Sequence, residues 1–547
     1  MAKTVKLEDD RIRIEWHVAR RDEWFRLLNR VKSLPDREFR KRPPHWFIPA
    51  TPFHARQVIQ LLEPEGFDIA AEIQEIIEHD KRERGGSKEC DRQILEGVRP
   101  YQIMAVSYLC RNSGRAIVGD DVGLGKSIEA LGFVYTQVEI RRMSGLRILV
   151  VAPANVVYKW SHEILDPHAR FPWSGLFTVG ILEKTSAPMG QTDFTVVSYD
   201  ILRRRQEELE LAQFGCVILD EFHYIKSPAA ARTKAARAVC KNAPYVIGLS
   251  GTPLLNRPIE MFTMLNILDP KQWPSRHNYG MRYCGGADNF GQFTGASNLR
   301  ELRERLKPYM IRRLKQDVLP ELPPIQVSIL PIVVDTSQYR EIERNVQKQI
   351  LALSPTSKGY WMSVLDKLNY LRQASGIAKI PAAVEWAKDF LEENDGKLVI
   401  YAHHKRVGKE LVAALAAFGA DTISGDTPPR RRDELARCFR AEASPRVLVV
   451  TAAGGVGIDL FGEGRDCSNI IFVELEWRPS DFAQAWGRLH RFNQTNSVNA
   501  WILQARGTLD TYMTRRVDDK AAVIDEIMGD PPVIKEIVRE WRGASNA

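Results

Sequence analysis

Cysteine, long apolar runs and net charge are all scarce in this 547-residue chain. Seven cysteines, an odd number with no CxxC pair, argue against a disulfide framework and against structural zinc, and for reduced thiols in a cytosolic compartment. No apolar run approaches the ~20 residues that a membrane span needs. The opening MAKTVKLEDDRIRIEW lacks the apolar core of a signal peptide, so no membrane association or secretion is expected. Short-period repeats and low-complexity tracts are missing too, which excludes solenoids. The formal net charge is only +8, so a nucleic-acid partner has to be argued from where the charge sits. What is present, 44% hydrophobic and 27% charged residues, is the composition of a globular protein long enough for several domains.

The charge is unevenly placed. Residues 1–50 hold thirteen Lys/Arg against eight Asp/Glu, with Trp16, Trp24, Phe25, Phe39, Trp46 and Phe47 interleaved. Basic groups for phosphates beside aromatic faces for bases are the ingredients of nucleic-acid contact, and they serve a small aromatic core with a basic face equally well. In 1–94, EWFRLLNRVKSL (23–34) has helical spacing, RKRPPHWFIPATP (40–52) is forced to be extended, and HARQVIQLLEPEGF (54–67) reads as a helix ended by Pro64 and Gly66. KRERGGSKEC (81–90) reads as a linker, so 1–94 is expected to be a separate accessory domain.

From residue 98 apolar strands alternate with helices, which predicts parallel sheets covered on both faces. RILVVAP (147–153), FTVVSYD (194–200), FGCVILDEFH (214–223) and YVIGLSGTP (245–253) each pass from an apolar run into polar or glycine residues, and place one α/β lobe at about 95–268. A second series, KLVIYAHH (397–404), RVLVVTAAGGVGIDL (446–460) and NIIFVELEW (469–477), places another at 382–512. Residues 269–381 read as a helical protrusion and linker, and 513–547 as a charged helical tail.

Chemistry concentrates in AIVGDDVGLGKSIEA (116–130), where an apolar strand meets a glycine turn and then a helix. Its glycines let backbone N–H groups approach a polyphosphate, Lys126 reaches the β/γ phosphates and the Ser127 hydroxyl can hold Mg²⁺. Asp120 stands where the usual spacing has glycine. Asp220 and Glu221 end an apolar strand, which fits Asp220 holding Mg²⁺ while Glu221 orients and deprotonates a water. Gln484, Arg488 and Arg491 lie at offsets of four and seven, which would put them on one helical face suited to a γ-phosphate. With the cradle in one lobe and the guanidiniums in the other, hydrolysis would require the lobes to close.

These segments together resemble a Swi/Snf-type DNA translocase of helicase superfamily two. RPYQ (99–102) resembles its adenine-reading motif. GDDVGLGKS resembles its phosphate loop, where an acid in place of the first glycine is usual. VVAPANVVYKW (150–160) resembles motif Ia, DEFH the Walker B box, LSGTP (249–253) motif III, TAAGGVGIDL (451–460) motif V and QAWGRLHRFNQT (484–495) motif VI, while YMIRRLKQDVLPELPP (309–324) is the most family-specific stretch. GIAKIPAAVEW (376–386), IYAHHK (400–405), FVELEWRPS (472–480) and VKSLPDREFRKRPPHWFIP (31–49) are similar to the HepA-related, annealing-helicase branch.

The resemblance implies two RecA-like α/β lobes with a helical protrusion between them and a small N-terminal accessory domain. It implies ATP and Mg²⁺ as cofactors, bound through Arg99, Tyr101, Gln102, Asp120, Asp121, Val122, Gly123, Leu124, Gly125, Lys126, Ser127, Gly457 and Asp459. His223, Ser250 and Thr252 would couple hydrolysis to movement. DNA-backbone contacts would come from Ala152, Asn155, Lys159, Ser198, Tyr199, Arg312, Arg313, Lys315, His403, His404, Lys405, Thr451 and Gly454. The implied activity is that of a double-stranded-DNA translocase that remodels branched or forked DNA and promotes annealing. A strand-separating DNA or RNA helicase and a non-catalytic DNA clamp with a relic nucleotide site are the alternatives. The implied partners are double-stranded and branched DNA, with single-stranded-DNA-binding or replication and repair proteins as candidates and the motor acting as a monomer. The expected location is cytoplasmic and nucleoid-associated in a bacterium or phage, nuclear in a eukaryote.

Overall fold

Successive residues of a strand point to opposite faces of its sheet, so one apolar run can feed two cores. The computed structural model describes residues 3–514 apart from 9–10, 19, 35–36, 42–43, 86–94, 142, 144, 166–170, 172, 174, 252–257, 288–291, 294, 355–358, 453, 455–457, 461–465, 478 and 492–493. In it Ile117, Leu149, Val151, Val217 and Leu219 enter one core, and Ala116, Val118, Ile148, Val150 and Ile218 enter the other. These residues belong to a seven-stranded parallel sheet in the order Met310–Ile311, Arg115–Val118, Tyr245–Leu249, Cys216–Asp220, Ile148–Ala152, Phe194–Ser198, Val179–Leu182. The carboxyl ends of parallel strands share one edge, so the glycine loop, Ser198, Asp220 and Ser250 are delivered to the same side.

A second, six-stranded parallel sheet runs Ile325–Ile332, Val498–Ala505, Asn469–Phe472, Leu398–Ala402, Val447–Thr451, Ala420–Ile423. Val399, Tyr401, Leu448 and Val450 face one core, and Leu398, Ile400, Val447 and Val449 the other. The N-terminal region has its own five-stranded sheet, Glu38–Lys41, Pro44–Pro49, Arg11–Trp16, Lys3–Glu8, Asp68–Ile69, antiparallel except at its last pair. Helices Arg21–Ser33 and Pro52–Leu62 contribute to its separate core, which holds Val5, Ile14, Leu27, Val31, Ile48 and Val58. The expected linker at 81–90 begins inside the helix Ala71–Gly85, and the rest of it lies outside the described residues, as does the tail beyond 514.

Residues 269–381, expected as a protrusion and linker, are shared between the lobes. Trp273, Tyr279, Tyr283, Leu302 and Leu306 join a first-lobe core, and Met310–Ile311 extends that sheet. Ile325–Ile332 is the edge strand of the second sheet, and the helices Ser337–Leu351 and Tyr360–Glu393 add Tyr339, Val346, Val364 and Leu368 to its core. Two features hid these strands. Met310–Ile311 is only two residues long, and Pro331 interrupts a run that can tolerate it because it sits on an edge.

The 34-residue helix Tyr360–Glu393 carries Lys379, whose Nζ donates to Asp510 Oδ2 at 2.7 Å with both side chains buried. Asp510 also accepts from Ser375 Oγ and from the Ala505 backbone N–H, so this knot ties the long helix to the last strand and the helix Asp510–Thr514. Removing one partner strands a buried charge. Lys379→Met, which keeps the volume, is expected to destabilise the second lobe by about 3 kcal/mol, read as a lower urea midpoint for its unfolding transition.

Candidate active site at the lobe interface

The glycine loop between Val118 and the helix Lys126–Arg141 takes left-handed backbone conformations at Gly123 (φ +95°) and Gly125 (φ +83°), which residues with a Cβ rarely adopt. It is braced by the chain that follows the Met310–Ile311 strand. The backbone N–H groups of Ile117, Gly119 and Asp121 donate in turn to the carbonyls of Tyr309, Ile311 and Arg313, at 2.7, 2.8 and 3.1 Å. Asp120 and Glu129, both buried, share the Arg313 guanidinium, which also reaches the Tyr101 carbonyl. Burial, with the nearby Asp120, pushes the Glu129 carboxyl well above its usual range. Arg312 donates to the Gly119 carbonyl at 3.2 Å, and the Lys315 backbone N–H to Asp121 Oδ2 at 3.1 Å.

Lys126 Nζ donates to the loop's own Asp120 and Asp121 carbonyls at 3.0 and 3.3 Å, and burial lowers its pKa. Tyr101 Oη and Gln102 Nε2 both donate to the Leu124 carbonyl, at 2.9 and 3.0 Å, while Gln102 Oε1 accepts from the Arg99 backbone N–H at 3.2 Å. The RPYQ segment thus packs on the loop as the cap of helix Pro100–Arg111.

Asp220 Oδ2 accepts from Trp160 Nε1 at 2.8 Å, and its carbonyl from Tyr199 Oη at 2.8 Å. Burial beside Glu221 raises the Asp220 carboxyl, with Trp160 and Lys159 opposing. Burial acts on Glu221 in the same direction, but His223 at 3.2 Å, Lys126 and Arg488 outweigh it and hold that carboxyl low. Ser250 Oγ donates to Glu221 Oε2 at 3.2 Å. Glu221 itself has φ +47°, an uncommon conformation for a residue with a side chain. One acid is thus biased toward its neutral form and its neighbour toward the charged form. Among the described residues there is no group of three or more His, Cys, Asp or Glu that could hold a metal ion.

The second lobe reaches this edge directly. A side chain begun on Gly123 would lie 2.9 Å from Arg491 Cδ. Arg491 is paired with Asp459, and Asp459 Oδ2 lies 3.0 Å from Lys159 Nζ of the first lobe. Burial would raise the Asp459 carboxyl, but Arg491, Lys159 and Arg488 overwhelm it and keep it ionised. Arg488 is pushed down to about 10 by burial and by Arg491, while Asp459, Glu221 and Asp220 support its charge. A further seam pairs His162 Nε2 with Asp433 Oδ2 at 3.2 Å.

Several expected placements change. The helix carrying Gln484 is Pro479–Trp486, so Gln484, Arg488 and Arg491 do not share one helical face: Arg488 and Arg491 lie beyond its end, past Gly487. Gln484 lines a cavity of about 260 Å³ within the second lobe, together with His403, Glu476, Asp481 and Arg488. Arg313 and Lys315 turn toward the phosphate loop, while Arg312 donates to the Gly119 carbonyl and stays exposed. Lys159 sits in the interlobe ion pair, and Tyr199 is buried against Tyr224. His403 and His404 donate backbone N–H groups to Glu474, both at 2.8 Å, while their rings meet Glu476 at 2.7 Å and Glu474 at 2.5 Å. Ala152 and Thr451 are buried, and Gly454 packs on the Ile423 backbone. Ser198 caps the helix Tyr199–Arg204, Asn155 is half-buried, and Lys405 pairs with Asp426 at the surface. Thr252 and Gly457 lie outside the described residues.

Trp160, Glu129 and the loop brace were missed as site residues. Their signals were a tryptophan next to Lys159, an acid three positions after Lys126, and two arginines able to answer Asp120 and Glu129.

A glycine loop, a strand-end acid pair and guanidiniums facing them from a second parallel-sheet lobe define a helicase-type ATPase core of superfamily two. Comparison with known proteins agrees: the SNF2-related domain matches residues 101–377, and the helicase conserved C-terminal domain residues 382–493. The chain belongs to the SNF2-related family. It is 30% identical over 519 residues to the SWI/SNF-related matrix-associated actin-dependent regulator of chromatin subfamily A-like protein 1 of Xenopus laevis, covering 92% of this chain and 50% of that one. It is 30% identical over 439 residues to the DNA annealing helicase and endonuclease ZRANB3 of Homo sapiens, covering 78% and 40%. The solved Sulfolobus solfataricus SWI2/SNF2 ATPase core in complex with dsDNA aligns with a TM-score of 0.39 and 20% identity, over 83% of this chain and 98% of that one. The chain spans half the length or less of these two relatives. Among the described residues no helix is long and apolar enough to cross a membrane.

Since the Lys159–Asp459 pair is a direct tie between the lobes, Lys159→Ala is expected to raise the nucleotide-free open population about fivefold, for a partly exposed pair worth about 1 kcal/mol. Energy transfer between dyes on the two lobes would report it as a lower mean efficiency, and an unchanged efficiency would show that the pair does not hold the lobes.

Proposed function

We propose that this chain is an ATP-dependent double-stranded-DNA translocase that remodels branched or forked DNA and promotes strand annealing. The observation that carries the reading is the approach of Arg491, on one lobe, to Gly123 of the phosphate loop on the other. A triphosphate between them would draw ligands from both lobes, so its binding and hydrolysis would close and open the cleft. The relatives' names, a DNA annealing helicase and a SWI/SNF-related regulator of chromatin, support DNA as the track.

In this mechanism Lys126 leaves the Asp120 and Asp121 carbonyls for the β/γ phosphates, and Ser127 and Asp220 would hold the Mg²⁺ that accompanies the nucleotide and would screen its charge. Glu221, kept ionised by His223, Lys126 and Arg488, accepts a proton from the attacking water. Arg488 and Arg491 meet the charge that grows on the transferred phosphoryl group. Ser250, bonded to Glu221, passes the state of the site to the loop after strand Tyr245–Leu249.

The accessory domain supplies contacts of another kind. Trp24, Phe25 and Phe39 are exposed, and the Arg11 and Arg40 guanidiniums lie 5.1 and 4.6 Å from the Phe47 ring centre. A basic and aromatic surface on a separately cored module suits splayed or junction DNA.

ATP hydrolysis titrated with duplex, single-stranded and forked DNA and with RNA tests the reading. Duplex and forked DNA are expected to stimulate most, and stimulation by RNA alone would overturn DNA as the track. Lys126→Ala is expected to cut DNA-stimulated turnover by about 100-fold or more while DNA binding persists. Unchanged turnover would remove the loop from the mechanism. Deleting residues 1–94 is expected to impair processing of branched DNA more than hydrolysis on plain duplex, and equal losses would make the module structural.

A further inference from the structure

Lys315 is placed against the phosphate loop. Its short helix, Lys315–Val318, starts where the loop brace ends, and its backbone N–H is fixed on Asp121 Oδ2. A side chain begun on Gly123 would lie 3.2 Å from both Lys315 Cε and Nζ, beside the Arg491 stem. The ammonium donates across the lobe boundary to the His490 carbonyl at 2.6 Å. Arg491 and Arg488 from the second lobe and Lys126 from the loop act on it as cations and Asp121 as the opposing carboxylate, with Asp459 paired to Arg491, Arg312 3.7 Å from Asp121, and the His490 ring at the border of the cluster. Within the same cluster the Arg491 Nε is buried with no hydrogen-bond partner. Cationic side chains from the joining segment and from the second lobe thus converge on the left-handed glycine backbone, an arrangement suited to an anion that bridges the lobes.

We infer that Lys315 is a ligand of the nucleotide's terminal phosphate, and that it leaves the His490 carbonyl to bind it, so that the second lobe registers whether the loop is filled. This rests on the nucleotide reading above and adds a third source of charge, the segment joining the lobes, to the loop lysine and the second-lobe arginines. It also replaces the expected role of Lys315 as a DNA contact. Burial first, then Arg491, with Lys126 and Arg488 adding to it and Asp121 opposing, brings the Lys315 amine down to about 7 in the nucleotide-free protein. An incoming phosphate favours the charged amine and raises that value. Affinity for the triphosphate is therefore complete below about pH 7 and declines as the pH rises above it, because the free amine must then take up a proton to bind.

The test is calorimetric titration of the full chain with the Mg²⁺ complex of a non-hydrolysable ATP analogue at pH 8, in two buffers of different protonation enthalpy. Wild type is expected to take up about one proton more per nucleotide than Lys315→Arg, whose guanidinium stays charged throughout. The arginine variant retains affinity, and its affinity is flatter between pH 7 and pH 9. Lys315→Met is expected to bind about tenfold or more weakly, as the loss of a charged hydrogen bond implies. Equal proton uptake by wild type and both variants, or unchanged affinity in the methionine variant, would overturn the assignment of Lys315 and leave the nucleotide site standing. Failure of the folded wild type to bind the analogue at all would overturn the nucleotide reading, and this inference with it.

Discussion

The stem of Arg491 comes within 2.9 Å of where a Gly123 side chain would start, and this contact holds only because glycine has none. Around it the two lobes share charge neither could keep alone. Asp459 sits between Arg491 of its own lobe and Lys159 of the other, and Arg488 faces the field of Glu221 and Asp220 across the cleft. Buried ions need partners, and here the partners are distributed over two rigid bodies. Separating the lobes would keep the Arg491–Asp459 pair but break the Lys159–Asp459 pair and remove Arg488 from the field of Glu221 and Asp220, so closure and charge neutralisation are coupled.

The covalent path between the lobes adds to this coupling. The chain leaves the first sheet at Ile311, gives the carbonyls of Ile311 and Arg313 to the phosphate loop, places Arg313 on the buried Asp120 and Glu129, and enters the second sheet at Ile325. The segment that joins the lobes is therefore also a wall of the nucleotide site. A rearrangement at the loop is transmitted through a short, hydrogen-bonded stretch of backbone, which deforms far less readily than a free linker.

The acid pair shows how environment separates two neighbouring carboxylates. Asp220, beside the hydrogen-bonding Trp160, is raised by burial and by Glu221, whereas Glu221 is kept low by His223, Lys126 and Arg488. Two carboxylates adjacent in sequence are thus biased toward different charge states. The left-handed backbone of Glu221 turns its side chain toward Ser250 and away from the direction a continued strand would give it.

Much of this could be read from the residues alone, because it depends on local rules. The buried β-branched runs, the glycine spacing of 119–127 and the acids ending Cys216–Asp220 are set by strand alternation, backbone freedom and short-range chemistry. The charge surplus and the aromatic content of the first fifty residues were equally visible, but not which rings would be exposed. Where the chain's distant parts meet was not. The break in the helix after Trp486, the sharing of 269–381 between two sheets, and the turning inward of Arg313, Lys315, Lys159 and Tyr199 arise from contacts between residues about twenty to three hundred positions apart. A basic side chain looks the same in the sequence whether it will meet a phosphate in solution or a buried carboxylate. Only the packing of the two lobes, which decides which charges lose their water and so which must be paired, separates the two cases.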